Sequence, residues 1–185
     1  MKTRAVTTLP VLVLAAACGR AGPPGVPPER VADYLHAVIE ADRATYAEQV
    51  VHRLQNVEKV ITASERFKEE KTLPLPSQML RLSAKRAQEK GPFRYALISE
   101  WAINKANLPK TDFEREGLAA VAKAPEKPYG RYETTGGQRY FMALYADRAV
   151  SDACIECHNR HSESPRHDFQ RGEVMGGIVI ALPLE

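Results

Sequence analysis

The residues with the clearest chemical potential are Cys154, Cys157 and His158, which form a C-x-x-C-H run. In an exported protein this run is typical of a site where c-type haem is covalently attached. The two thiols lie one turn apart, so each can add to one of the two vinyl groups on a single porphyrin edge. The histidine that follows then supplies the proximal ligand to the iron. Because the run occurs once, the sequence predicts one covalent haem c.

Two other uses of the cysteine pair are a redox-active dithiol and half of a zinc site. A redox pair normally lies in a thioredoxin-like βαβ segment, and a zinc site normally has a second ligand pair at a recognisable spacing. The sequence contains neither pattern, and this favours haem.

Length and charge limit the class of protein. The 185 residues suit one domain with a sizeable core plus accessory segments. The chain has 26 lysines and arginines against 23 aspartates and glutamates, a net charge of +3, and removing Lys2 and Arg4 with a signal segment leaves +1. This balance argues against a nucleic-acid-binding protein, which should show a concentrated basic face.

The first 28 residues predict export and a membrane anchor. Residues 1–17 have a basic start, an apolar stretch and three alanines, which together resemble a bacterial lipoprotein signal peptide. The apolar stretch is too short to span a bilayer as a mature helix. The small residues before Cys18 predict lipidation of its thiol, and the alternative is ordinary cleavage that leaves a soluble periplasmic protein. Residues 18–28 are rich in proline and predict a semi-rigid tether, so we expect a lipid-anchored, periplasmic protein of the cell envelope.

Helices are predicted for the first half of the remaining domain, residues 29–185. Residues 29–67 contain no proline or glycine, and their apolar residues fall mostly at three- and four-residue steps, as in a long amphipathic helix. We expect this stripe to pack on its own domain, and the alternative is a homodimer formed through the helix. A Leu-Pro-Leu-Pro break precedes a second helix, capped by Ser77, that ends before Gly91. The stripe consists of Val31, Leu35, Val38, Tyr46, Val50, Leu54, Val57 and Ile61.

The second half is dominated by strand patterns, with one helix among them. This helix is predicted from an N-cap at Asp112 to about Ala122. Thr-Gly-Gly at residues 135–137 is a hairpin signal. Helices followed by strands predict an α+β fold with a small antiparallel sheet. The strands are predicted at residues 93–103, 131–134, 138–145 and 174–184.

Several stretches around the haem motif give the chain a likeness to a known family. Residues 102–107, followed by Glu114, look like an Asn-Pro-x-Asn segment with its later glutamate, although Lys105 replaces the usual proline. Residues 138–141 look like the strand before the haem, and residues 172–179 look like a Gly-Asp-x-x-Gly-x-Ile strand after it. On these motifs the chain resembles the single-domain, PAS-like c-type haem proteins formerly described as a domain of unknown function. The resemblance implies a PAS-like fold, in which N-terminal helices precede a five-stranded antiparallel sheet, and a role in electron transfer or in redox or small-ligand sensing.

The distal ligand of the iron has several candidates. Some members of the resembled family carry a cysteine in the helix before the first strand, and counting back from Asn104 places Met79 near that position. Methionine sulfur is an iron ligand in cytochromes c, so we expect Met79 to bind the iron. The alternatives are His36, His52 and an open position.

Two arginines, Arg139 and Arg94, are expected to bind the haem propionates, because the strands that carry them should border the haem. Together these predictions favour a membrane-tethered periplasmic monohaem cytochrome that passes electrons to a redox partner. The alternative is a haem-based redox or gas sensor that signals through a separate protein. We do not expect an enzyme, because nothing in the sequence marks an acid–base group on the distal side.

Overall fold

A computed structural model of the chain describes residues 25–185, so the predicted signal peptide and Cys18 lie outside the described residues. Helix α1 (Pro28–Thr45) begins with a proline, whose missing N–H is not needed in the first turn. A π-helix (Tyr46–Val57) continues it without a break. The helix predicted for residues 29–67 therefore ends ten residues early. Lys59 has a φ of 56°, and this left-handed conformation is incompatible with a continuing helix.

Short elements connect the long helix to α3 (Pro76–Lys90), which ends before Gly91 as predicted. Its N-cap is Leu75 and not Ser77, because the Gln78 side chain accepts a hydrogen bond from the Leu75 N–H at 2.9 Å. The connecting elements are β1 (Ala63–Ser64), α2 (Phe67–Glu70) and β2 (Leu73–Pro74), and β1 pairs with β2 in parallel.

The later elements follow the predicted order. Thr111, rather than Asp112, caps α4 through a capping box with Glu114. Gly136 and Gly137 both have positive φ, which forms the tight turn of the predicted hairpin. The elements are β3 (Arg94–Ile98), a 3-10 turn (Lys105–Asn107), α4 (Asp112–Lys123), β4 (Tyr129–Thr135), β5 (Gln138–Arg148), α5 (Asp152–Arg160) and β6 (Val174–Leu184).

The main sheet of the described residues is antiparallel with the strand order β3-β6-β5-β4, which confirms the α+β class. It has four strands and not the five that the resemblance implied. Strand β3 ends at Ile98, five residues earlier than predicted, because the chain then turns so that the Ser99 N–H donates to the Asn107 carbonyl.

Helices cover both faces of this sheet. Alternate residues of β6 point to opposite faces, so Ile178 and Ile180 contact one cluster and Val179 the other. On the first face α1 and α3 contribute Ala32 and Leu80. On the second face α4 contributes Phe113, Leu118 and Val121.

The apolar stripe of the long helix packs only in part. Val31 and Leu35 pack against the sheet, in agreement with the expectation that the stripe serves its own domain. Val38 and Val57, in contrast, are 61% and 64% exposed. The change from α- to π-helical hydrogen bonding rotates the side chains about the helix axis. In the π-helix the buried valine is therefore Val51, which the predicted stripe did not include. None of the helices over residues 25–185 has an apolar stretch long enough to span a membrane.

Candidate haem site

The C-x-x-C-H run lies in α5, between the antiparallel neighbours β5 and β6. Cys154, Cys157 and His158 have the spacing i, i+3 and i+4, which places them on one face of the helix, and His161 directly follows its last residue. All four line one cavity of about 330 Å³, called the cleft below.

Most of the remaining lining of the cleft comes from four parts of the chain. These are the end of α1 with the π-helix, the β1–β2 region, the end of β3, and the 102–107 segment. The apolar side chains of these four parts give the cleft a surface that suits a porphyrin ring. The apolar residues include Val51, Leu75, Leu97, Ile98 and Ile103, and the polar residues include Arg43, Gln55, Glu65, Asn104 and Asn107.

His158 has the properties of a metal ligand. Burial lowers the pKa of its imidazole, and the charges of Arg43 and His161 lower it further. The neutral ring is the form that binds metals. Its Nδ1 is buried and has no hydrogen-bond partner among the described residues.

Phe169 holds the His158 ring from the side. The two rings meet edge to face, with their centroids 5.8 Å apart. Asn159 fixes Phe169 through two backbone hydrogen bonds of 2.9 Å, donating to its carbonyl and accepting from its N–H. The Arg166 guanidinium lies 4.4 Å from the Phe169 ring centroid. The sequence interpretation missed this clamp, although Phe169 is the one aromatic residue in the stretch 159–172.

The two thiols are free. Cys154 is half-buried, and its Sγ lies 3.4 Å from the hydroxyl of Ser151, which precedes α5. Cys157 is exposed, but the surrounding protein still raises the pKa of its thiol, and the charges of Cys154 and Glu65 add to this. The sheet on either side of α5 is antiparallel, so the pair does not lie in a thioredoxin-like βαβ unit.

The 102–107 segment forms a capped turn in the wall of the cleft despite Lys105. The Asn104 side chain accepts a hydrogen bond from the Ala106 N–H at 2.9 Å. The Ser99 hydroxyl donates to the Met175 carbonyl at 2.5 Å and so ties this wall to β6. The side-chain cap at Asn104 therefore forms the turn without a proline.

A buried ion pair also borders the cleft. Arg43 Nη2 of α1 lies 2.9 Å from Asp147 Oδ2 of β5, and the two side chains are 10% and 8% exposed. Arg43 Nε is buried and has no partner among the described residues. Burial raises the pKa of Asp147 against the opposing charge of Arg43. The sequence interpretation missed this pair, since 104 residues separate its members and no motif marks either one.

Met79, the expected distal ligand, does not line the cleft. It lines a second cavity between α1, the π-helix, α3 and β3, together with Ile39, Tyr46 and Tyr95. Its sulfur accepts a hydrogen bond from the Ser83 hydroxyl at 3.5 Å. The structure thus places Met79 and His158 in different cavities.

The expected propionate partners also lie away from the cleft. Arg139 pairs with Leu184 at the far end of the sheet, eight residues before Asp147, which corresponds to roughly 27 Å along an extended strand. Arg94 stacks over the Tyr140 ring at 5.3 Å, at the end of β3 opposite Ile98. Neither arginine is brought together with the C-x-x-C-H run.

The two histidine alternatives are also outside the cleft. His36 stacks on Tyr145 with ring centroids 4.0 Å apart. His52 lies in the π-helix beside Val51, but only Val51 lines the cleft.

Comparison with known proteins gives one family and one solved structure. The family model described as Tll0287-like: Tll0287 matches residues 29–183. The crystal structure of the cyanobacterial heme-protein Tll0287 is similar with a TM-score of 0.52 and 11% sequence identity, covering 86% of this chain and 98% of that chain. At this identity the likeness is one of fold. No curated protein matches the chain.

Proposed function

The chain belongs to the Tll0287-like family, and we propose that it holds one covalent haem c in the cleft and acts as a monohaem cytochrome in electron transfer or redox relay. The proposal rests on the side chains that one face of α5 presents. This face presents two free thiols and a half-buried histidine, whose pKa is lowered, to the same cavity.

These residues fit a haem. Each thiol can add its S–H across one vinyl double bond, with sulfur bonding to one carbon and hydrogen to the other, so the attachment consumes no oxidant. His158 Nε2 would then bind the iron, and Phe169 would hold the imidazole in orientation. The iron supplies a reversible one-electron couple, whose potential depends on its ligands and on the burial of the site.

We further propose that Cys18 carries a lipid anchor and that the protein works at the membrane surface of the periplasm. The support is the signal-like sequence of residues 1–17 and the prolines that follow Cys18. Helix α1 starts only ten residues after Cys18, so the haem domain would stay close to the membrane and to a membrane-bound redox partner.

A haem-based redox or gas sensor is the second candidate. It is favoured by the course of α1, which runs from the tether to the wall of the cleft and contributes Arg43 there. A change of charge or ligand at the iron would act on this helix through Arg43. The exposed side chains of Tyr34 and Val38 on the same helix could meet a signalling protein or a second copy of the chain.

Absorption spectra of the purified protein in the oxidised state, in the reduced state and in the reduced state with carbon monoxide test the proposal. An electron carrier should show a reversible redox change. A gas sensor should in addition show a changed spectrum with carbon monoxide. Absence of any haem spectrum from protein exported in a cell with haem c maturation would refute both candidates.

A further inference from the structure

We infer that the sixth position of the iron binds a small external ligand, a diatomic molecule or a small anion, and that Arg43 donates a hydrogen bond to it. This inference rests on the proposed haem attachment through Cys154, Cys157 and His158. It names the ligand chemistry of the same site and favours the haem-based sensor over the electron carrier.

Few side chains that line the cleft can bind iron. Apart from Cys154, Cys157 and His158, these are His161 and Met175 among the described residues. His161 follows His158 by three residues on the same side of α5, and its Nδ1 accepts a hydrogen bond from the Glu163 N–H at 3.2 Å. Met175 is 7% exposed and packs in one cluster with Cys154 and Ile155 of the haem-bearing helix. Both residues therefore adjoin α5, which would carry the proximal ligand.

The described parts of the cleft formed by the end of α1, the π-helix, the β1–β2 region, β3 and the 102–107 segment lack iron ligands. The described residues of these parts present no imidazole, thiol or thioether to the cleft. Met79 and His36 have other contacts outside it, and His52 does not line it. A haem attached to α5 would therefore face amide, hydroxyl, carboxylate and guanidinium groups on its second side, of which none is a strong iron ligand in cytochromes.

Arg43 is buried in the wall of the cleft. It is the one arginine or lysine among the described residues that line the cleft, and the residue is 92% buried. Asp147 takes a hydrogen bond from Nη2, while Nε has no partner in the described part of the chain. Arg43 and His158, the ligand that would hold the iron, line the same cleft.

The chemistry of Arg43 selects among external ligands. A guanidinium N–H binds negative charge strongly in a buried site, so it stabilises azide or cyanide on ferric iron. Carbon monoxide carries little charge and gains little from the same donor. Losing one charge-assisted hydrogen bond should cost an anion about tenfold to a hundredfold in affinity.

The experiment titrates the full-length holoprotein with azide in the ferric state and with carbon monoxide in the ferrous state, followed by absorption. We expect the wild type to bind both probes. Arg43→Gln should weaken azide binding about tenfold or more and change carbon monoxide binding by less than about threefold. The matched control is Arg86→Gln, because Arg86 is an exposed arginine of α3, and it should leave both affinities unchanged.

A second variant covers the case in which Arg43→Gln fails to fold. Asp147→Asn removes the competing carboxylate and should strengthen azide binding. If wild-type protein with covalent haem binds neither probe, a protein side chain occupies the sixth position and the inference is wrong. Unchanged azide affinity in both variants would remove Arg43 from the site. Protein that carries no covalent haem refutes the proposed function itself, and a haem stain distinguishes this result from the others.

Discussion

Removing either half of the buried Arg43–Asp147 pair should destabilise the fold, and the two losses should depend differently on pH. Breaking a buried ion pair leaves a charge without compensation and typically costs about 3–5 kcal/mol. In Asp147→Ala the charge left behind is a guanidinium, which keeps its proton in proteins. This remaining charge should therefore add no change to the unfolding free energy of Asp147→Ala between about pH 5 and about pH 7.

Arg43→Met leaves a carboxylate, which can take up a proton. Burial already raises the pKa of Asp147, and Arg43 opposes this, so the pKa should rise further without Arg43. An unfolded aspartate has a pKa of about 3.9. Between these two values the folded state binds more protons than the unfolded state, so stability falls as pH rises. The loss caused by Arg43→Met should grow by up to about 2.7 kcal/mol from pH 5 to pH 7, at up to about 1.4 kcal/mol per unit.

Urea unfolding of the holoproteins at both pH values, followed by circular dichroism, measures these losses. Arg53→Met is the control, because its pair with Glu58 has side chains 48% and 47% exposed and should contribute at most about 1 kcal/mol. Losses that are equal and independent of pH in Arg43→Met and Asp147→Ala would refute this reasoning about the buried charge.

Three further variants test the Phe169 clamp, the main sheet and the half-buried His36. Phe169→Ala should cost about 3–5 kcal/mol in urea unfolding and alter the visible spectrum, because the residue is 3% exposed and holds the proximal imidazole. Gly176→Ala should lower the melting temperature, because its Cβ would lie 2.4 Å from the Ile98 carbonyl oxygen and force β3 and β6 apart. Burial lowers the pKa of His36, so below about pH 6.5 the unfolded state takes up a proton that the folded state does not, and stability falls. His36→Phe should reduce this loss, and because His36 is partly exposed the reduction should stay well below about 1.4 kcal/mol per pH unit, as measured by urea unfolding between about pH 5 and pH 7.

Each of these variants has a matched control. Phe67→Ala removes a half-buried ring that does not line the cleft and should leave the visible spectrum unchanged. Gly25→Ala meets nothing within 4 Å and should leave the melting temperature unchanged. His167→Phe replaces an exposed histidine and should keep the wild-type pH slope. A wild-type spectrum in Phe169→Ala, or a wild-type slope in His36→Phe, would contradict the role given to that residue.

The fold and the haem motif could be predicted where the signal is local. The thiol spacing of Cys154 and Cys157 is a property of five consecutive residues, and the strand over residues 174–184 follows from its continuous apolar run. Gly136 and Gly137 marked the hairpin for the same reason. Such features depend on neighbours in sequence, so sequence alone was enough to predict them.

The surroundings of the motif depend on contacts between distant residues. Nothing near Arg43 in the sequence indicates Asp147, and nothing near His158 indicates that Phe169 holds it. The change to π-helical hydrogen bonding at Tyr46 moved the buried side of the helix in a way that steps of three and four residues do not predict. Met79 was placed by counting along the chain, and the count could not show that its helix points the sulfur toward Ser83.

The central claim is that Cys154 and Cys157 hold one haem covalently. Intact-mass spectrometry of the denatured, exported protein, supported by a pyridine haemochrome spectrum, tests it most directly. We predict the mass of the polypeptide plus one haem and a c-type spectrum. Both should disappear when the two cysteines are replaced by serine. A polypeptide mass without haem, with the pigment extracted into acidified acetone, would contradict the claim.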